Sequence, residues 1–281
     1  MRTITSARDL DPASGGKRAV VMTMGALHDG HLALVRHARA IADEVLVTVF
    51  VNPLQFDDPA DLERYPRTLA ADAALLAAEG VDVLYAPSQE DVYPGGEPIV
   101  TVCAGAINDV FEGASRPGHF DGVLTVVLKL INLTQPDVAV FGAKDAQQVI
   151  AVRAMVRDLN VPVEIAVAPT VRDPDGLARS SRNVFLSPNE RAHALVLSRA
   201  LRAADARAGQ GAGVTEVLRA GGDVLVSVPA ARVEYLAALD PVSAQPVPDD
   251  YRGEVMIAVA ARVGNTRLID NVSTHIGLAN N

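Results

Sequence analysis

The sequence contains a single cysteine, Cys103, in 281 residues. One thiol cannot close an intramolecular disulfide, and with no C-x-x-C pair or Cys/His cluster there is no ligand set for structural zinc. A reducing, cytoplasmic setting is the expectation. Positive charge is also scarce: 25 Lys and Arg stand against 34 Asp and Glu, a formal net charge of −9 with the 6 histidines neutral. That balance excludes a chain whose work is electrostatic binding of nucleic acid. Long apolar runs are missing too. Val45–Val51 and Val123–Leu133 are too short for a bilayer or are interrupted by Lys129, so no membrane partner is expected. The stretch Met1–Arg18 is charged and broken by Pro12 and Gly15-Gly16, unlike the apolar core of a signal peptide.

What is present is an ordinary globular composition, 49% hydrophobic and 21% charged, enough for one large domain or two modest ones. Short apolar runs at Val20–Thr23, Glu44–Phe50, Val81–Tyr85, Val138–Phe141 and Glu164–Val167 read as strands. Helical spacing follows at Leu32–Ile41, Leu62–Glu79, Val123–Thr134 and Ala146–Leu159. Strands alternating with helices predict an α/β domain built on a parallel sheet over residues 1–169. Beyond Pro169 the rhythm changes to a polar, arginine-bearing loop, a helix over Asn189–Arg207, a break at Gly209–Gly213, and strands at Arg232–Leu239 and Glu254–Val263. A smaller α+β domain over 170–281 is expected, with the loop at its start.

Three segments carry chemistry. The first, Thr23-Met24-Gly25-Ala26-Leu27-His28-Asp29-Gly30-His31, lies where a strand end becomes a helix start. Parallel sheets bind ligands at that edge, helix N-termini attract phosphate, and two imidazoles can donate to phosphate oxygens. Taken alone, H-x-x-H reads first as a metal pair or a solvated helix start. The second, Phe141-Gly142-Ala143-Lys144-Asp145-Ala146-Gln147-Gln148, again ends a strand. Lys144 there suits phosphate and Asp145 suits ribose hydroxyls, although an isolated Lys-Asp pair also fits a surface lysine beside an N-capping aspartate. The third, Arg172 to Asn183, combines Gly176, Ser180, Ser181 and the arginines Arg179 and Arg182. It fits a mobile loop closing over polyphosphate, or a solvated linker. His119 reads equally as a site residue and as a loop stabiliser, and Cys103 reads as packing.

These motifs together resemble the pantothenate synthetase (pantoate–β-alanine ligase) family, within the HIGH-type nucleotidyltransferases. The residues that carry the resemblance are T-M-G-A-L-H-D-G-H (23–31), F-V-N-P-L-Q-F (50–56), Y-P-R (65–67), R-P-G-H-F-D-G-V (116–123), F-G-A-K-D-A-Q-Q (141–148) and D-G-L-A-R-S-S-R-N (175–183). Met22 stands where proline is common, Ile131 where an aromatic is common, and Arg179 where an apolar residue often precedes the serines.

The resemblance implies ATP-dependent condensation of pantoate with β-alanine, through a pantoyl adenylate, to give pantothenate, AMP and pyrophosphate. It also implies a Rossmann-like first domain, a smaller second domain and a homodimer. By the same correspondence Met24, Gly25, Ala26, Leu27, His28, Asp29, Gly30 and His31 would line the ATP site, with His31 as proton donor. Gly142, Ala143, Lys144, Asp145, Val171, Arg179, Ser180, Ser181 and Arg182 would complete it. His28, His31, Lys144, Ser180, Ser181 and Arg182 would carry the chemistry. Gln55 and Gln148 would hold pantoate, Gln55 also β-alanine, and Asp72 would be the protein ligand of Mg²⁺. Two rival readings are a nucleotidyltransferase acting on a phosphorylated acceptor and a nucleotide-sensing module without catalysis. The neutral Gln55 and Gln148 speak against the first, and the full set of imidazoles, lysine and serines against the second.

Overall fold

The computed structural model describes residues 1–11, 15–56 and 59–277. The chain divides into two compact units. One comprises Met1–Gly142 and Ala151–Ala168; the other comprises Ala143–Ile150 and the residues from Pro169 onward. The cut expected at 169/170 therefore differs for one segment, 143–150, which carries Lys144 and groups with the second unit.

The first unit is built on a six-stranded parallel sheet. Its strands are β1 (Arg2–Ile4), β2 (Arg18–Thr23), β3 (Glu44–Val49), β4 (Val83–Tyr85), β5 (Val138–Gly142) and β6 (Glu164–Ala168), in the order β1-β4-β3-β2-β5-β6. Ala19-Val20-Val21 of β2 and Val45-Leu46-Val47 of β3 are fully buried. Unbroken apolar runs of this kind mark strands covered on both faces, as parallel strands are. Helices α1 (Asp29–Ile41), α2 (Pro59–Arg64), α3 (Leu69–Ala78), α4 (Gln89–Val92), α5 (Phe111–Ser115), α6 (His119–Thr134) and α7 (Ala146–Asp158) connect the strands. The order reverses at β2: β3 and β4 lie to one side, β5 and β6 to the other. Val21 of β2 is registered with Val47 and with Val140, so the chain leaves β2 and β5 from neighbouring strands at the switch point, where such sheets bind ligands.

The single helix expected over 62–79 is two, α2 and α3. Pro66 separates them, because a proline ring clashes with the preceding helical turn and removes a donor. β1 spans only three residues, too few to show a period.

The second unit has an antiparallel sheet, β7 (Ala231–Leu239), β8 (Gly253–Val263) and β9 (Thr266–Ile276), with helices α8 (Pro188–Ala208) and α9 (Val214–Val226). Val255, Ile257, Val259, Ala261 and Val263 of β8 are all fully buried and join the same core as Ala200, Leu201 and Ala204 of α8. α8 opens on Ser187 and Glu190 in a reciprocal cap with Pro188 in its first turn. Neither α9 nor β9 was expected. Gly221-Gly222 break the pattern of α9, yet Gly221 allows the close packing: a Cβ there would lie 3.2 Å from the Ala200 carbonyl oxygen. β9 hides its period because buried positions 270 and 271 are Asp and Asn.

Candidate active site

Each unit carries its own part of the residue set. In the first, the backbone after β2 turns through Gly25 (φ 82°) and Ala26 (φ 51°), a left-handed pair that glycine tolerates and alanine adopts only when held. The holder is Asp72 on α3. Its Oδ2 accepts from the Ala26 N–H at 3.0 Å and its Oδ1 from the Leu27 N–H at 2.8 Å. The Thr68 hydroxyl donates to Oδ2 at 3.1 Å, and the residue is only 1% exposed. Asp72, suggested as a metal ligand by its place in the sequence, here fixes the backbone of residues 26 and 27. Both of its oxygens are engaged in fixing the loop, Oδ1 with one donor and Oδ2 with two. Among the described residues no cluster of three or more His, Cys, Asp or Glu is arranged to hold a metal.

The loop delivers the chain to α1, whose first turn is capped by imidazoles. His28 Nδ1 accepts from the Gly30 N–H at 3.1 Å, and His31 Nδ1 accepts from the His28 N–H at 3.4 Å. The two rings stack with centroids 4.1 Å apart. Because each Nδ1 is an acceptor, each neutral ring carries its proton on Nε2. Two Nε2–H donors on a helix N-terminus suit an anion. The rings cap the helix, and capping is what sets their tautomer. Asp29 is exposed in the same turn.

Gln55 lies in a 3-10 turn over Pro53–Gln55 that is gripped from several sides. The Asn52 side-chain amide donates to Gln55 Oε1 at 3.2 Å and to the Gly122 carbonyl at 3.0 Å. The Tyr93 hydroxyl donates to Asn52 Oδ1 at 2.9 Å, and burial pushes that hydroxyl's pKa strongly upward. The Gln55 backbone carbonyl lies 3.1 Å from His119 Nδ1 and accepts from Arg116 at 3.3 Å, while Arg116 also reaches His119 Nε2 at 2.9 Å. The Gln55 side-chain amide rests against Met24 Sδ at 2.8 Å. His119 therefore stabilises this turn. Gly122 is needed for close approach, since a Cβ there would collide with the Leu54 carbonyl.

In the second unit, Lys144, Ser180 and Arg182 line one cavity with Leu177, Arg267 and Asp270. The Lys144 side chain is 21% exposed and lies 3.5 Å from the Asp145 carboxylate. Gln148 is half-buried on the first turn of α7. The segment expected to be a loop or a linker is a tight hairpin. Arg172 bridges to Ala178, the Arg179 N–H donates to the Val171 carbonyl at 2.9 Å, and Gly176 takes φ 96°. Arg179 donates to Asp173 at 2.6 Å, and Arg191 donates to Asp173 and Asp175 at 2.7 and 2.9 Å. The charge that Arg179 adds is thereby countered within the hairpin. Ser180 caps the next 3-10 turn, its hydroxyl accepting from the Arg182 N–H at 3.2 Å, and Ser181 and Arg182 are exposed.

Cys103 is exposed, its Sγ accepting from the Gly105 N–H at 3.4 Å, and is not the packing residue expected. Sequence reasoning did not single out Asn52, Tyr93, Asp270 or Asn271. The first lies inside a quoted motif; the others carried no local signal.

A family model described as pantoate-beta-alanine ligase matches residues 1–273. Pantothenate synthetase of Thermobifida fusca is 54% identical over 278 residues, covering 96% of this chain and 94% of that protein. Among solved structures, pantothenate synthetase from Thermus thermophilus aligns with a TM-score of 0.89 at 50% identity, covering 97% of this chain and 99% of that one. A pantoate-beta-alanine ligase from Francisella tularensis, complexed with beta-gamma ATP and beta-alanine, aligns with a TM-score of 0.76 at 34% identity over 97% of both chains. Among the described residues, no helix is long and apolar enough to cross a membrane.

Proposed function

The chain belongs to the pantoate-beta-alanine ligase family, and from that premise we propose how its own side chains divide the work. It is an ATP-using ligase that joins pantoate to β-alanine through an amide bond, forming pantothenate. A carboxylate resists attack by an amine because its charge repels the nucleophile and oxide is a very poor leaving group. Adenylation removes both obstacles. A pantoate carboxylate oxygen attacks the α-phosphorus of ATP in line, the bond to the bridging oxygen breaks, and pyrophosphate leaves. The neutral β-alanine amine then attacks the acyl carbon, the acyl–oxygen bond breaks, AMP leaves with its electron pair, and the ammonium formed loses a proton. No enzyme nucleophile is needed.

The protein's part in the first step is position and charge. His28 and His31 donate through Nε2 to phosphate oxygens. Lys144, Ser180, Ser181 and Arg182 meet the negative charge that grows on the departing pyrophosphate. Met24 to Leu27, Gly142, Ala143, Asp145, Val171 and Arg179 frame the nucleotide, and Gln55 and Gln148 hold pantoate. The observation that carries this reading is that Lys144, Ser180 and Arg182, from two separate segments, line a single cavity. Mg²⁺ enters bound to the nucleotide, and Asp72 serves to fix the backbone of residues 26 and 27. A neutral amide at Gln55, held by Asn52, favours a hydroxy acid over a phosphorylated acceptor, which would call for cations there. The reading includes a homodimer working in the cytoplasm.

The test is isotopic. With oxygen-18 in the pantoate carboxyl, the adenylate route transfers label to AMP on turnover. Label found wholly outside AMP overturns it.

A further inference from the structure

We propose that Asp270 and Asn271, consecutive residues of β9, are positioning residues that hold the Lys144 segment and the 172–182 hairpin in one register. Asn271 Nδ2 donates to the Ala143 carbonyl at 2.9 Å and to the Lys144 carbonyl at 2.7 Å. Asp270 grips Arg172 through two parallel bonds, Nη1 to Oδ2 at 2.6 Å and Nη2 to Oδ1 at 2.9 Å. Arg172 Nη1 also donates to the Gly176 carbonyl at 3.2 Å, at the tip of the hairpin. The two residues are tied to each other as well: the Asn271 N–H donates to Asp270 Oδ1 at 2.9 Å.

Asp270 and Asn271 are 4% and 8% exposed in a strand whose other buried positions include Leu268 and Ile276. Buried polar side chains in mid-strand are costly unless fully partnered, and an apolar pair would serve the core better. Their partners explain the choice. One arm ends on the peptide that carries the Lys144 side chain; the other ends on the hairpin that leads into Ser180 and Arg182. Asp270 itself lines the cavity shared by those three groups. A long lysine side chain has many rotamers, and a cation displaced by about 1 Å loses about a hundredfold in rate. Fixing the lysine's backbone to the same strand that fixes the hairpin limits that displacement. Neither residue need touch substrate.

The inference rests on the proposed role of Lys144, and a double-mutant cycle separates the two. Asn271→Ala is expected to lower kcat by about a hundredfold with little change in the KM for pantoate. Asn271→Asp, equal in size but with an oxygen facing two carbonyls, gives the same result where the alanine variant folds poorly. In a Lys144→Ala background, Asn271→Ala should cost no further activity, because there is no ammonium left to place. The drop in melting temperature on Asn271→Ala should be equal in both backgrounds, since Lys144→Ala leaves both carbonyls in place. A severe Lys144→Ala combined with parent-like activity in both Asn271 variants, or with additive losses, overturns the inference alone. Parent-like activity in Lys144→Ala overturns the role of Lys144 and the inference with it.

Discussion

His28 and His31 cap the same helix turn and stack on each other, with ring centroids 4.1 Å apart. Both Nδ1 atoms are committed to backbone N–H groups, so the cap and the proposed phosphate contact use opposite edges of each ring. The two roles can be parted by His28→Asn. Asparagine is among the best N-cap residues, so the helix keeps its cap while the Nε2–H donor disappears. The melting temperature is expected to stay within error of the parent, and turnover to fall by about a hundredfold or more. Retained turnover would assign His28 to capping alone.

Gly30 gives the converse case. Its φ is not in the left-handed region, so alanine is conformationally permitted in this first helical turn. A Cβ at this position would, however, lie 2.7 Å from His28 Cε1 and 2.9 Å from His28 Nδ1, and the ring must move. Gly30→Ala is expected to disturb the His28 cap and lose about 1 kcal/mol of stability, while the KM for ATP rises and kcat falls. Thermal melts alongside steady-state kinetics check both halves. Parent-like kinetics would mean that the His28 ring position does not matter.

Asp72 can be tested without nucleotide. An amide in its place must turn an N–H toward one of two backbone N–H groups that now share a carboxylate. Leaving such a buried donor unsatisfied costs about 1 to 3 kcal/mol. Asp72→Asn should therefore melt lower in the absence of ATP and Mg²⁺, and raising Mg²⁺ should not restore its activity. A variant with parent-like melting and a right-shifted Mg²⁺ requirement would return Asp72 to the metal.

The parallel sheet was legible because its strands are buried on both faces, so Ala19–Val21 and Val45–Val47 read as unbroken apolar runs beside helical spacing. The loop segments drew notice through rare local combinations, such as two histidines beside two glycines. Side chains that act at a distance were not. Asp72 was picked out from its neighbourhood in sequence, yet its carboxylate serves residues 26 and 27. Asn271 reaches back to residues 143 and 144, and a lone Asp-Asn in a strand looks like a turn. Such long-range hydrogen bonds leave no periodicity to read. The helix break at Pro66 was readable, and the alanine-rich composition around it masked the signal.

Tyr93 offers the last such case, a hydroxyl whose partner, Asn52, lies 41 positions earlier in the chain and orients Gln55. Tyr93→Phe removes the 2.9 Å bond to Asn52 and should cost about 1 kcal/mol of stability at neutral pH, with a higher KM for pantoate. The pH dependence has a definite sign. Burial raises the folded-state pKa of Tyr93 well above its ordinary value, so the unfolded chain, with a tyrosine pKa of about 10, ionises first. The stability supplied by the neutral hydroxyl is complete below about pH 10 and is lost as pH climbs toward the folded-state value. The stability gap between parent and Tyr93→Phe should accordingly be constant across neutral pH and shrink above about pH 10, as measured by urea unfolding. A gap that widens with alkali would mean that Tyr93 accepts, rather than donates, the bond that seats Asn52.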